Sequence, residues 1–195
     1  FFANTSELTE KNAVLTAVTD ESGVFVFNNI PYGEYLIKEL KPTDGYLDNE
    51  DVFTVTIKDN EQVVELTAIN DKVPELKTTA TVNGKKEVIA KGEISIKDTV
   101  EYKHLVLNTE YVIKGTLIDK STGKQFKVKG KEITSTVKFV PDKADGKVEV
   151  TFTFDGSAIK KDTELVVFET LYRDGVELTT HADINDDGQT VTIKP

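Results

Sequence analysis

The sequence predicts an all-β protein built from two β-sandwich domains in tandem. A period-two pattern marks four runs, Val24 to Phe27, Phe53 to Ile57, Ile94 to Val100 and Lys147 to Phe154, as expected for strands. No window carries a helical period over three turns. Between the runs lie turn-forming pairs that favour hairpins, namely Asn-Gly at position 83 and Asp-Gly at positions 44, 145, 155, 174 and 187.

A change in charge divides the chain into two domains. With 195 residues, the chain is long enough to form two modest hydrophobic cores. Residues 1–74 carry 14 acidic and 5 basic side chains, whereas residues 75–195 carry 20 and 19. We therefore expect domains over 1–74 and 75–195, arranged end to end. The segment from Ile69 to Leu76 contains Pro74 and predicts a short, stiff linker between them.

Composition excludes several classes of function. A net charge of -10 opposes binding to nucleic acid and to anionic lipid, and the apolar runs are far shorter than a membrane span. Disulfides and thiolate metal sites are excluded because the chain has no cysteine. No signal peptide or anchor is recognisable, and the abrupt start at Phe1 leads us to expect a fragment of a longer protein.

Four polar residues of the second domain, Thr78, Asp98, Glu169 and Gln189, are in phase with apolar residues of their strands. Residues two apart share a strand face, and the apolar residues on these faces are Leu76, Ala80 and Val82; Ile94, Ile96 and Val100; Leu165, Val167 and Leu171; and Val191 and Ile193. Burying an unpaired polar group is costly, so we expect the four to contact one another. Taken singly, these residues have ordinary explanations. Threonine is a good strand former, and an inward carboxylate near a strand end is often hydrogen-bonded at the rim of the sheet.

The stretch HADINDDGQT, residues 181–190, allows three interpretations: an exposed hairpin loop, part of a calcium loop, or one half of a covalent chemistry. Its spacing matches the opening of an EF-hand loop at Asp183, Asn185, Asp187 and Gly188. However, position twelve of that loop is Lys194 instead of a glutamate and no flanking helices are predicted, so we expect no metal. An exposed turn explains the aspartates but not the pairing of His181 with Gln189.

Four motifs carry a resemblance to a known family: LKTTA with Thr78, KDTVEY with Asp98, VVFE with Glu169, and HADINDDGQT with His181 and Gln189. In these motifs, residues 75–195 resemble the Thr-Gln ester-bond domains of Gram-positive cell-surface adhesins. The resemblance implies an immunoglobulin-like sandwich in which the Thr78 hydroxyl condenses with the Gln189 carboxamide, releasing ammonia and leaving an intramolecular ester. It also implies that His181, Asp98 and Glu169 catalyse this step.

The implied chemistry is physically coherent. Folding would give the two reacting groups an effective molarity on the order of 10⁵ to 10⁸ M, and His181 would take the hydroxyl proton and pass one to the departing ammonia. Two adjacent buried carboxyls share a proton, so Asp98 and Glu169 would hydrogen-bond the amide oxygen as negative charge develops on it. The ester would survive because water is excluded.

The first domain resembles a different family. The stretch TDESGVFVFNNIPYGEYLIKEL, together with PTDGY and LTAIND, resembles the Cna protein B-type domain, which implies a prealbumin-like sandwich with a Lys-Asn isopeptide bond. Asn70, in phase with Leu66 and Ala68, fits the asparagine, and Glu39, in phase with Tyr35 and Ile37, fits the catalytic acid. The lysine partner is not identified. It should lie on the first strand, whereas Lys11 lies in a predicted loop. We expect the first strand to precede Phe1, or the crosslink to be lacking. In an ordinary interpretation, Glu39 is a strand-end charge and Asn70 a turn residue.

These inferences predict a structural stalk region of a bacterial surface adhesin. The self-modification is a single turnover, so we expect no enzyme in the usual sense and no cofactor. The runner-up is a ligand-binding sandwich that recognises host protein or glycan through its loops, although Tyr32 and Tyr46 are among few loop aromatics. A third class, a threonine-histidine hydrolase, is disfavoured because Thr78 lies in mid-strand.

The predicted partners are neighbouring stalk domains of the same polypeptide, with no nucleic acid and no membrane insertion. Any host ligand would bind through other regions. We expect an extracellular location, on a bacterial cell wall, with the anchor outside this sequence.

Overall fold

The computed structural model describes residues 1–3 and 7–195. The chain forms two compact units, Phe1–Asp71 and Lys72–Pro195. Within the described residues there is no α-helix, only three single-turn 3-10 helices at Glu10–Asn12, Gly156–Ala158 and Asp187–Gln189, and no helix has the length and apolar character needed to cross a bilayer. The all-β class predicted from the alternating pattern is confirmed.

The first unit contains one antiparallel sheet in the order β1-β2-β3. Its strands are β1 (Phe2–Ala3), β2 (Gly33–Lys38) and β3 (Val52–Ile57). Phe1, Phe2, Tyr35 and Val55 are buried, and the rings of Phe1 and Tyr35 lie 4.5 Å apart between centroids. The core of this unit is therefore small and rich in aromatic side chains.

One predicted strand of the first unit is wrong. Valine and phenylalanine alternate from Val24 to Phe27, but this segment pairs with no described strand. Instead, the Asp20 carboxylate accepts hydrogen bonds from the backbone N–H groups of Ser22 and Val24, forming a turn that leads into the segment. Alternation specifies which side chains can share a face, whereas a strand also needs a neighbour to complete its hydrogen bonds.

The second unit is a sandwich of two sheets. Its strands are β4 (Glu75–Val82), β5 (Glu87–Ile89), β6 (Glu93–Lys103), β7 (Tyr111–Asp119), β8 (Lys124–Gln125), β9 (Lys127–Val128), β10 (Lys131–Glu132), β11 (Thr134–Phe139), β12 (Gly146–Asp155), β13 (Thr163–Arg173), β14 (Val176–His181) and β15 (Thr190–Lys194). One sheet has the order β12-β6-β4, and the other has the order β11-β7-β13-β15-β5, with β14 added to β13 and β8 added to β7. β9 and β10 form a separate small hairpin.

The period-two pattern sets the core of the second unit. On β6, buried residues alternate with more exposed ones, so that Ile94, Ile96 and Val100 face the core, as predicted. The facing sheets approach closely at Gly115, because a Cβ there would lie only 2.5 Å from the Phe152 ring. The hydrophobic core is therefore continuous between the two sheets.

The edge of β13 is shared by two strands. β15 pairs with its first half, at Thr163 to Val166, and β14 pairs with its second half, from Glu169 onward. Between these two ladders lies a short stretch that includes Val167. This gap positions the polar groups described next.

Candidate functional site

All four polar residues that the strand phase placed inward are buried. Thr78 and Glu169 are 1% exposed, and Asp98 and Gln189 are 0% exposed. Thr78 and Asp98 come from the three-stranded sheet, in which Thr78 pairs with Val100 and Ala80 pairs with Asp98. This register makes Thr78 and Asp98 diagonal neighbours on one face.

The larger sheet supplies Glu169 and His181. These residues are directly paired across β13 and β14, so their side chains lie on the same face. Strand pairing thus forms one pair of candidate residues in each sheet, and the contact between Thr78 and His181 joins the two pairs. The sequence alone does not give this pairing.

Gln189 corrects one expectation about the strands. The sequence places Thr78 on the first and Gln189 on the last strand of this domain, and such strands commonly neighbour one another in sandwiches. However, β4 and β15 lie in different sheets. Gln189 itself belongs to the 3-10 helix that precedes β15, which packs against β4. A Cβ on Gly188 would lie 3.3 Å from the Thr78 carbonyl oxygen. Thr78 and Gln189 are therefore juxtaposed across the sandwich and not along a shared ladder.

The Gln189 carboxamide is held by backbone groups. Its Nε2 donates to the Val167 carbonyl at 2.6 Å and to the His181 carbonyl at 3.2 Å. Val167 pairs with Leu117 of β7 on one edge of β13, and on the opposite edge its carbonyl lies in the gap between the β15 and β14 ladders. The amide group is thus fixed by the interruption in the sheet.

Thr78, His181 and Asp186 form a chain of polar contacts. Thr78 Oγ1 lies 3.3 Å from His181 Nδ1, and His181 Nε2 lies 3.3 Å from Asp186 Oδ2. In the tautomer with a proton on Nε2, the ring donates to the carboxylate and its Nδ1 accepts from the hydroxyl. This is the geometry of a hydroxyl nucleophile, its base and the group that orients the base.

Sequence reasoning missed Asp186. Three aspartates follow His181, and their spacing does not distinguish which one faces the ring. The 3-10 turn decides it, because Asp186 Oδ1 accepts from the Gly188 N–H at 2.7 Å while Oδ2 faces His181. Asp183 instead accepts from the Asn185 N–H. The aspartates therefore build the turn, and the described residues contain no group of three or more side chains arranged to hold a metal ion.

Asp98 and Glu169 form a buried acid pair. None of their four oxygens receives a hydrogen bond of good geometry from another described group, although the Thr78 hydroxyl is near enough to lower the pKa of Asp98. The two carboxyls can hydrogen-bond each other only if one carries a proton. Burial, followed by the adjacent Asp98, raises the pKa of Glu169 to about 10. Burial also raises the pKa of Asp98, but Glu169, His181 and a nearby lysine act in the opposite direction. Glu169 is therefore the protonated member of the pair at neutral pH.

No described group joins the acid pair to the Gln189 amide oxygen by a hydrogen bond. The contact assigned to Gln189 Oε1 comes from the Asp183 N–H, at 3.4 Å. The proton of the pair is shared between Glu169 and Asp98, so it can reach the amide oxygen only by leaving that shared contact.

The first unit brings together the two residues proposed for an isopeptide site. Asn70 Nδ2 donates to Glu39 Oε2 at 2.7 Å, and Asn70 Oδ1 accepts from Asn49 at 2.9 Å. Glu39 Oε1 is buried without an assigned donor. The phase argument for Asn70 is wrong, however, because Leu66 is 43% exposed and Ala68 is also exposed. The segment before Asn70 forms no strand that would bury one face.

Comparison with known families assigns both parts of the chain. A model of the T-Q ester bond containing domain matches residues 74–193, which is more than half of the sequence. The chain belongs to this family. A model of a prealbumin-like fold domain matches residues 4–72, so the ester-bond domain follows a prealbumin-like domain in the same polypeptide.

A solved bacterial adhesin shows the same fold. A bacterial adhesin from Mobiluncus mulieris, which contains intramolecular disulfide, isopeptide and ester bond cross-links, matches in two crystal forms with 20% identity and a TM-score of 0.55. The match covers 64% of this chain and 58% of the adhesin chain. The major pilin subunit of Bacillus cereus matches with 16% identity and a TM-score of 0.41, over 91% of this chain and 59% of the pilin. A comparison with curated protein sequences finds no match.

Proposed function

We propose that this T-Q ester-bond domain crosslinks itself through an ester between Thr78 and Gln189 and serves as a stalk segment of a bacterial surface adhesin. The observation that supports this most directly is the contact of 3.3 Å between Oγ1 of the buried Thr78 and Nδ1 of the partly exposed His181, beside the carboxamide of Gln189. A buried threonine hydroxyl that faces an imidazole base is equipped to attack an amide.

The reaction balances without any added reagent. His181 Nδ1 takes the proton as Thr78 Oγ1 attacks the side-chain carbonyl carbon of Gln189, giving a tetrahedral intermediate. The imidazolium then gives a proton to the amide nitrogen, the C–N bond breaks, and ammonia leaves. One O–H and one C–N bond are broken, and one C–O and one N–H bond are made. Asp186 stabilises the imidazolium between the two steps.

The acid pair acts on the oxyanion in this proposal. The proton that Glu169 shares with Asp98 turns to Gln189 Oε1 as negative charge develops there, and Asp98 then remains ionised near the imidazolium of His181. A neutral carboxylic acid is a useful donor here, because it pays no desolvation cost for a charge of its own. Full burial of Gln189, Asp98 and Glu169 keeps water away from the product ester.

Each domain reacts once and retains its product, so the catalytic groups do not make it an enzyme in the usual sense. A permanent crosslink suits a surface stalk that must resist force and proteolysis. We place the protein outside the bacterial cell, attached to the cell wall through other parts of the polypeptide, with neighbouring stalk domains as its partners.

A second crosslink is proposed for the first unit. Glu39 and Asn70 are positioned for an isopeptide bond in which a lysine amine displaces the Asn70 amide nitrogen as ammonia. The buried and unpaired Glu39 Oε1 is suited to accept the proton of that amine. No lysine is assigned to the site among the described residues, and Lys38, its neighbour in sequence, is paired with Glu50 at 2.7 Å.

The intact mass of the folded chain tests both bonds. We expect the ester to make the wild-type chain one ammonia lighter than Thr78→Val, and the neighbouring exposed control Thr79→Val to behave like the wild type. A second missing ammonia that persists in Thr78→Val but not in Asn70→Ala would identify the isopeptide bond. A wild-type chain of full sequence mass would contradict the ester.

A further inference from the structure

Lys86 reaches the loop that carries Gln189 from a distant part of the sequence. Its Nζ donates to the Gly188 carbonyl at 2.6 Å, across 102 residues. The Gly188 carbonyl belongs to the peptide bond that joins Gly188 to Gln189. The lysine therefore contacts the backbone immediately before the proposed electrophile.

The backbone of Lys86 is itself fixed. It follows a tight hairpin turn in which Asn83 and Gly84 both have positive φ, 51° and 75°, as the Asn-Gly pair favours. The Lys86 carbonyl accepts from the Thr192 N–H at 2.7 Å, and β5 then pairs in parallel with β15. The hairpin thus anchors Lys86 directly to the strand that Gln189 enters.

Lys86 also faces the acidic groups of the site. The carboxylates that interact electrostatically with its ammonium are those of Asp98 on β6 and of Asp186 and Asp187 in the turn. The residue as a whole is exposed, but its ammonium is partly desolvated, which lowers the pKa of Lys86. The positive charges near Asp98 come from Lys86 and from His181 when it is protonated. The other groups near Asp98 are Glu169 and Thr78.

We propose that Lys86 is a positioning residue for ester formation, which holds the Gly188 carbonyl so that Gln189 meets Thr78 and which supplies positive charge beside the acid pair. This inference rests on the proposed condensation of Thr78 with Gln189. Lys86 touches neither reacting group and acts through the backbone and through Asp98.

The charge of Lys86 has a definite effect on pH dependence. Lys86 lowers the pKa of Asp98, so loss of the ammonium raises the pH at which Asp98 takes up a proton. A protonated Asp98 no longer stabilises the imidazolium that forms on His181 during the reaction. The acid limb of the rate profile therefore moves to higher pH when the lysine is replaced by a neutral residue.

The test is a refolding time course. Each full-length chain is prepared unreacted as urea-solubilised inclusion bodies and refolded by dilution over a range of pH, and the loss of ammonia is followed by intact mass. The variants are Lys86→Met, Lys86→Arg and the control Lys85→Met, which removes the adjacent exposed lysine. Circular dichroism checks that each chain has folded before rates are compared.

We expect Lys86→Met to react about ten- to a hundredfold more slowly, because the electrophile is less well placed. Its acid midpoint should rise by about half a pH unit, the effect of a partly exposed charge. Lys86→Arg should restore the midpoint, and Lys85→Met should match the wild type in both measures.

Two results would overturn the inference. One is a Lys86→Met chain that matches Lys85→Met, and the other is a slower rate with an unchanged midpoint, since a purely structural contact would slow the reaction equally at every pH. A wild-type chain that loses no ammonia would instead overturn the proposed ester itself.

Discussion

Thr78 Oγ1 and His181 Nδ1 lie 3.3 Å apart although 103 residues separate them in the chain. Thr78 is on a strand of the three-stranded sheet, and His181 ends a strand of the facing sheet. The contact therefore requires both sheets of the sandwich to be in place. In the proposed mechanism, folding precedes the chemistry, and each substitution below separates the two.

Removing the base or the acid should stop the chemistry but spare the fold. Neither His181→Ala nor Glu169→Gln should lose the ammonia that ester formation releases. We expect both variants to fold with native-like circular dichroism spectra. The reason is that His181 is partly exposed and glutamine has nearly the same volume as glutamate. Intact mass after refolding measures the outcome. Complete loss of ammonia in either variant would contradict the role assigned to that residue.

Asp186 should affect the rate of ester formation by orienting His181. We expect Asp186→Asn to slow ester formation by about ten- to a hundredfold, because a partly exposed carboxylate that orients the base contributes less than the proton transfer itself, which is worth about 10²–10⁴-fold. Asp187→Asn is the matched control, because it removes the adjacent, exposed carboxylate from the same turn without removing the contact to His181. Equal rates in the two variants would show that Asp186 only builds the turn.

The buried acid pair should make the uncrosslinked fold less stable as pH rises. Because the folded-state pKa of Glu169 is raised to about 10, the folded state binds a proton more tightly than the unfolded state does, and that advantage is lost as pH increases above the unfolded pKa. In Thr78→Val, urea unfolding should show a stability that falls by up to about 1.4 kcal/mol per pH unit between these two values.

The double variant Thr78→Val/Glu169→Gln isolates this effect. Its stability should vary much less with pH over the same range, because the glutamine does not titrate. If both chains show the same slope, groups other than Glu169 determine the pH dependence.

The ester should change the mechanical response more than the thermal one. Joining residues 78 and 189 closes a loop that the chain-entropy model values at about 4–5 kcal/mol, so Thr78→Val should melt at a moderately lower temperature. When the ends of the unit are pulled, however, tension would pass from β4 through the ester to β15 and bypass the strands between them.

Single-molecule stretching measures this directly. We expect Thr78→Val to release about 380 Å more contour length than the wild type, the extended length of the enclosed segment. Thr79→Val should extend like the wild type. Equal extension in wild type and Thr78→Val would show that the bond carries no load.

The sequence by itself determined which side chains face the core of the second unit. A strand alternates its faces with a period of two, so the apolar neighbours of Thr78, Asp98 and Glu169 were sufficient to place these polar residues inside. The Asn-Gly pair at 83 likewise predicted its turn. These are local properties, and the motifs that carry the family resemblance are local as well.

Only the tertiary structure decided which strands lie side by side. It placed Gln189 across the sandwich from Thr78, selected Asp186 among three aspartates, and left Val24 to Phe27 without a partner strand. It also brought Lys86 to the Gly188 carbonyl. The physical reason is that strand pairing and loop packing depend on hydrogen bonds and contacts between residues far apart in the chain, which a short window of sequence does not contain.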